Sequence, residues 1–260
     1  MGRVFRSFVQ CMAVSAALGA APSAGAVGVD SLTILKFDRA ALATARDAKQ
    51  DFLDGYHVSN LRTETFEGFQ SWDGSSGTAN PQNTAVGDFA AFGSAGSGRS
   101  VVGNGSETQV RSDSTMPWGR YDAEQSSLGG NWLDSNDNLG MRWDIDGLGK
   151  FNTVAFFLLD VADVGGNFSM KIGDSLYADM NENTRLANGN IHLVLAVLSE
   201  AVETLSVDLY HHRTNDGFGI DGASIAHIAP VPVPPAAGFL LAALGLLGGM
   251  RRIAGIRRAV

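Results

Sequence analysis

The sequence predicts a mainly β protein, an antiparallel β-sandwich of jelly-roll-like form with one N-terminal helix. Three observations carry that prediction. Short apolar segments recur along the chain between bursts of Gly, Ser, Asn and Asp, such as Asp73-Gly74-Ser75-Ser76-Gly77 and Gly103-Asn104-Gly105, which is turn chemistry at strand spacing. Residues 151–159 (FNTVAFFLL) form a near-continuous apolar run fit for the middle of a sandwich. Helical periodicity is confined to one stretch, residues 38–53.

That stretch (DRAALATARDAKQDFL) offers Asp38 as an N-cap, is rich in Ala, and places Leu42, Ala45, Phe52 and Leu53 as its apolar positions. Strands are expected after it. Residues 63–69 (TETFEGF) alternate, with Phe66 and Phe69 as core candidates, and 84–92, 99–102 and 108–111 are shorter candidates. Residues 151–159, 168–172, 191–198, 204–210 and 218–228 complete the expected set. No repeat of fixed period is visible.

The two ends carry sorting information. Arg3 and Arg6, the apolar stretch 8–20 and Ala24-Gly25-Ala26 follow the order of a secretory signal peptide, with maturation expected near Val27. Cys11, the one cysteine, lies within that segment, so no disulfide is expected in the mature protein. At the other end, Val231-Pro232-Val233-Pro234-Pro235 precedes an uncharged run, 236–250, and then Arg251, Arg252, Arg257 and Arg258. The run is short for a bilayer core of roughly 30 Å, and the arginines would stay on the cytoplasmic side. This tail resembles the PEP-CTERM class of sorting signals, and within it the VPLPA variant of Gram-negative bacteria, although Pro235 stands where that variant usually has Ala. The resemblance implies transient membrane insertion, recognition and cleavage by an exosortase-type membrane protease, and delivery to the cell surface or extracellular matrix. An ordinary C-terminal membrane anchor would read similarly. The expected organisation is thus a signal peptide (1–26), one β-sandwich ectodomain (27–229) and a sorting tail (230–260), within the size one core can serve.

Six of the 19 basic residues lie in the two targeting segments, while all 27 acidic residues lie between Asp30 and Asp221. The ectodomain therefore carries 13 basic against 27 acidic residues, a balance of -14. Such a field repels phosphate backbones and argues against nucleic-acid binding.

Catalytic patterns are weak. Gly217-Phe218-Gly219-Ile220-Asp221-Gly222 spells G-x-G-x-x-G, but a dinucleotide site needs that string between a strand and a helix, whereas here a strand-like run follows. There is no G-x-S-x-G and no H-E-x-x-H, and the adjacent His211 and His212 would point to opposite faces of a strand. The ectodomain is read as non-catalytic.

Carboxylates are the chemical theme. Asp134-Ser135-Asn136-Asp137-Asn138 gathers hard oxygen ligands of the kind calcium takes, but Leu139 and Ile145 stand where an EF-hand needs Gly and Glu. A polar turn explains the same letters. Thr65-Phe66-Glu67-Gly68-Phe69 and the segment 215–221 together resemble the frame of carbohydrate-binding-type sandwiches. That resemblance implies a structural calcium joining an early strand to the last one through Glu67 and Asp221, with Glu64 and Asp216 as alternates. Solvent-facing residues on alternating strands are the other reading.

Trp118, Tyr121, Trp132 and Trp143 cluster among polar residues and could offer aromatic platforms to a polysaccharide, or form a small core of their own. Glycan contact is the task expected of the ectodomain. A secreted carbohydrate-active enzyme and a purely structural matrix component are the alternatives.

Overall fold

The computed structural model describes residues 27–112, 118–124, 130–182 and 184–230. The expected signal peptide and the expected sorting residues Val231, Pro232, Val233, Pro234, Arg251 and Arg252 lie outside the described residues.

The fold is mainly β, with antiparallel sheets and one short helix. The chain runs β1 (Val29–Phe37), a 3-10 turn (Arg39–Ala41), α1 (Leu42–Asp54), β2 (Tyr56–Glu64), β3 (Asp88–Phe92), β4 (Gln109–Ser112) and β5 (Asn131–Asp134). It continues through β6 (Gly140–Ile145), β7 (Phe151–Leu159), β8 (Phe168–Ile172), β9 (Ser175–Tyr177), β10 (Ile191–Val202), β11 (Leu205–His211) and β12 (Gly219–Pro230). The larger sheet is ordered β1-β10-β7-β12-β5-β4, and the smaller one β3-β6-β11-β8-β9. Strand β12 is long enough to serve two neighbours along one side: Gly219 and Ile220 pair with β5, and Ala223 to Pro230 pair with β2.

The expected run at 151–159 is β7, and its register explains the composition. Val154, Phe156 and Leu158 face the core between the sheets, joining Phe89, Trp143, Val207 and Leu209 of the smaller sheet. Ala155, Phe157 and Leu159 face the opposite way and join Ala45, Leu193 and Leu195 beneath α1. A strand covered on both faces has no polar side to alternate with. Burial on this scale can stabilise a domain that has no cysteine within its described residues.

Several expected boundaries move. Asp38 makes no side-chain cap; a 3-10 turn intervenes and the α-helix starts at Leu42. The strand expected over 63–69 ends at Glu64 because Phe66 takes a left-handed backbone, φ 60°, so Glu67 lies in a turn and not on a strand. Residues 99–102 are not a strand; there the Val102 N–H is spent on the Asn136 side chain. Strand β1 (VDSLTILKF) was not expected from the sequence, and it makes the strand carrying Glu64 the second in the chain.

Candidate functional site

Four of the expected cation ligands are committed to different places. Glu64 is buried and pegs a turn, accepting the Phe66 N–H at 2.6 Å and the Ala85 N–H at 2.9 Å. Glu67 is exposed and accepts the Asn131 N–H at 2.5 Å. Asp221 is fully buried on β12, where Oδ2 accepts the Ala123 and Glu124 N–H groups at 2.7 and 2.8 Å and Oδ1 accepts the Gly222 N–H at 2.7 Å. Asp216 lies elsewhere, with Oδ2 3.2 Å from His211 Nε2 and its carboxyl hydrogen-bonded to Asp163.

Glu67 and Asp221 nevertheless meet through a third carboxyl group that the sequence did not single out. Asp122 shares a side-chain hydrogen bond with Asp221. A Cβ on Gly130 would collide with both Asp122 Oδ2 and Glu67 Oε1, so those two carboxyl groups flank one small space. Burial first, and then the Asp122 charge, hold the Asp221 carboxyl well above the usual carboxylate range. Lys49, buried on α1, closes the other side: Nζ donates to Glu124 Oε2 at 2.7 Å and to the Gly222 carbonyl at 2.8 Å. Gly222 turns there with φ 57°, and a side chain on it would strike Glu124, which is why the G-x-G-x-x-G string ends on glycine at this point. Among the described residues no group of three or more His, Cys, Asp or Glu side chains is placed as a metal cage.

The loop 134–138 surrounds a cation supplied by the chain itself. Arg120, 3 % exposed, donates to Asp134 Oδ1 at 2.6 Å and to Asp137 Oδ1 at 3.4 Å, and its Nε lies 3.9 Å from Asp160 Oδ2. Asn136 is engaged with backbone, accepting the Val102 N–H and donating to the carbonyls of Val102 and Asn104. Asp137 also accepts the Ser100 hydroxyl at 2.6 Å. A Cβ on Gly217 would overlap Arg120 and Asp137, so the first glycine of the same string is required by close approach. Arg120 was expected only among the polar partners of the aromatic cluster, and Asp160 had no expected role; the one sequence signal for Asp160 is its position directly after the apolar run.

The expected aromatic platforms are mostly core. Trp132 and Trp143 are fully buried and Tyr121 is 1 % exposed, with the Trp143 indole donating to the Val86 carbonyl and the Tyr121 hydroxyl to the Gly189 carbonyl. None of the three can present a ring face to a glycan. Trp118 alone of the four is exposed.

Several carboxyl groups titrate high for lack of water. Burial pushes Asp160 up to about 7 and Asp216 up to about 8, the latter raised further by its contact with Asp163. A carboxyl whose folded pKa is raised contributes stability that is complete below the unfolded pKa and is lost as pH rises through the folded value. His192 acts in the opposite sense: burial pushes it down to about 3, so it opposes folding below about pH 6.5. Stability is therefore expected to rise by about 2–3 kcal/mol as pH falls from about 8.5 to about 6.5, and to go on rising toward about pH 4, because His192 offsets only one of the two carboxyl groups. Thermal melts across that window check this, with Asp216→Asn flattening the upper part. A wild-type profile without slope there would mean that both groups are ionised in the folded protein.

Compared with protein-family models, curated proteins and solved structures, the chain matches none of them.

Proposed function

We propose that this chain is an exported protein, sorted to the cell surface or extracellular matrix by an exosortase-type membrane protease, whose ectodomain is a non-catalytic, jelly-roll-like sandwich that contacts polysaccharide. The observation that carries the reading is the order of the tail: proline motif, short uncharged run, arginine cluster. Mass spectrometry of the exported protein is expected to find a C-terminus upstream of Arg251. Replacing the four tail arginines with neutral residues is expected to impair that processing. An exported form ending at Val260 would overturn cleavage.

Calcium enters this reading as the structural cation expected at Glu67 and Asp221; because Asp221 already accepts three backbone N–H groups, calcium binding would have to displace some of them. Calcium should then raise the melting temperature relative to chelator. Identical curves would remove the cation from the proposal.

A further inference from the structure

The outer face of the smaller sheet carries an aromatic shelf that no expectation from the sequence singled out. Gly140 of β6 sits in register with Phe92 of β3 on one side and with Tyr210 of β11 on the other. Side chains two strands apart are separated by roughly 9.5 Å, because neighbouring strands lie 4.7–4.9 Å apart. The ring centroids of Phe92 and Tyr210 are only 6.2 Å apart, with planes 15° from parallel. Gly140 makes this possible, since a Cβ there would run into the Phe92 ring; the two rings lean together over a position that has no side chain. His212 extends the row, 4.7 Å from Tyr210 and edge-on to it.

The shelf has a hydrogen-bonding rim. Arg142 lies 5.8 Å over the Phe92 ring and forks onto Asp208, Nε to Oδ1 at 2.7 Å and Nη2 to Oδ2 at 3.0 Å. Arg142 is 48 % exposed and Asp208 20 % at the side chain, so both keep edges open to water. The larger sheet has its outer side covered by α1, whereas here Phe92 and Tyr210 stay half-buried and His212 exposed.

We propose that this shelf binds a pyranose unit of a neutral polysaccharide. A sugar ring has an apolar C–H face, which suits two nearly parallel aromatic planes, and a rim of hydroxyls, which both donate and accept, as a guanidinium beside a carboxylate requires. Asp208 neutralises Arg142, and the ectodomain as a whole is strongly acidic, so an anionic polymer gains no attraction at this face. The assignment rests on the glycan contact proposed above and gives it a place.

The test is retardation of the exported protein in native gels cast with a soluble neutral β-glucan, a galactomannan, or alginate as the anionic control. The wild type is expected to be retarded by at least one neutral polymer and not by alginate. Tyr210→Ala, and separately the double variant Arg142→Ala with Asp208→Ala, should weaken that retention by about tenfold or more. The double variant removes only a surface ion pair, so it stays informative if Tyr210→Ala does not fold. Trp118→Ala tests the other exposed aromatic residue of the expected set, and loss of retention there, with neither shelf variant lowering it, places the contact at Trp118 instead. Retention of the wild type that neither variant lowers overturns this site and leaves the glycan reading standing. Retardation by alginate alone overturns the assignment to neutral sugars. Retardation by none of the three polymers overturns the glycan reading itself, and the shelf with it.

Discussion

Replacing Arg120 with Leu is expected to destabilise the domain by about 3–5 kcal/mol, the cost of leaving buried charges without their partner. Most single domains are stable by only about 5–15 kcal/mol, so this change can unfold the protein outright. Arg120 is 3 % exposed, and Asp134, Asp137 and Asp160 all lie within 4 Å of its guanidinium. Burial alone would weaken its charge, but these three carboxyl groups outweigh burial and hold the guanidinium protonated more firmly than usual. Without it, the same carboxyl groups must be charged in a dry site or take up protons. The loss in Arg120→Leu is therefore expected to shrink as pH is lowered and Asp137 and Asp160, already raised by burial, become neutral. Arg120→Lys should rescue only part of the stability, because one ammonium cannot reach three separated carboxyl groups as the planar fork does. Urea midpoints at two pH values measure both effects. A loss below about 1 kcal/mol at neutral pH would show that the cluster is hydrated and the guanidinium dispensable.

How far the sequence could be read depended on whether local chemistry or distant pairing decided the outcome. The two-sided burial of β7 showed in its composition, since Val154 to Leu159 has a packed neighbour on either face. The helix was legible from its period, but its start was not: Asp38 has the right side chain for a cap, and the backbone instead makes a 3-10 turn. Carboxylate density was visible too, yet what each carboxyl does was hidden. Glu64 serves two backbone N–H groups, Asp134 and Asp137 serve an arginine, and Asp221 reaches Glu67 only through Asp122. Aromatic residues misled for the same reason. Trp143 and Tyr210 lie on adjacent, paired strands, but strand parity sends Trp143 inward and Tyr210 outward, and parity depends on register. The shelf was invisible because it needs a glycine on one strand set between rings from two others far away in the chain.

The two faces of β7 give the second large effect and a way to tell the faces apart. Phe156→Ala and Phe157→Ala are each expected to cost about 3–5 kcal/mol, the usual range for removing a buried phenyl ring from a packed core. Both rings are fully buried, but they belong to different cores. Phe156 meets Trp143 edge to face, centroids 5.9 Å apart and planes at 88°, between the two sheets. Phe157 lies under α1, with Lys49 Nζ 5.3 Å above its ring. Near-UV circular dichroism should therefore change strongly in Phe156→Ala, where the packing against Trp143 is lost. Phe157→Ala should leave the Trp143 contact in place and loosen the helix, raising amide exchange along α1. Phe156→Leu, which refills most of the space, should cost far less than Phe156→Ala, because the penalty grows with the cavity left behind. If both alanine variants altered the tryptophan signal equally and left α1 protected, the two faces would not be separate cores, and the placement of the helix over the larger sheet would be wrong.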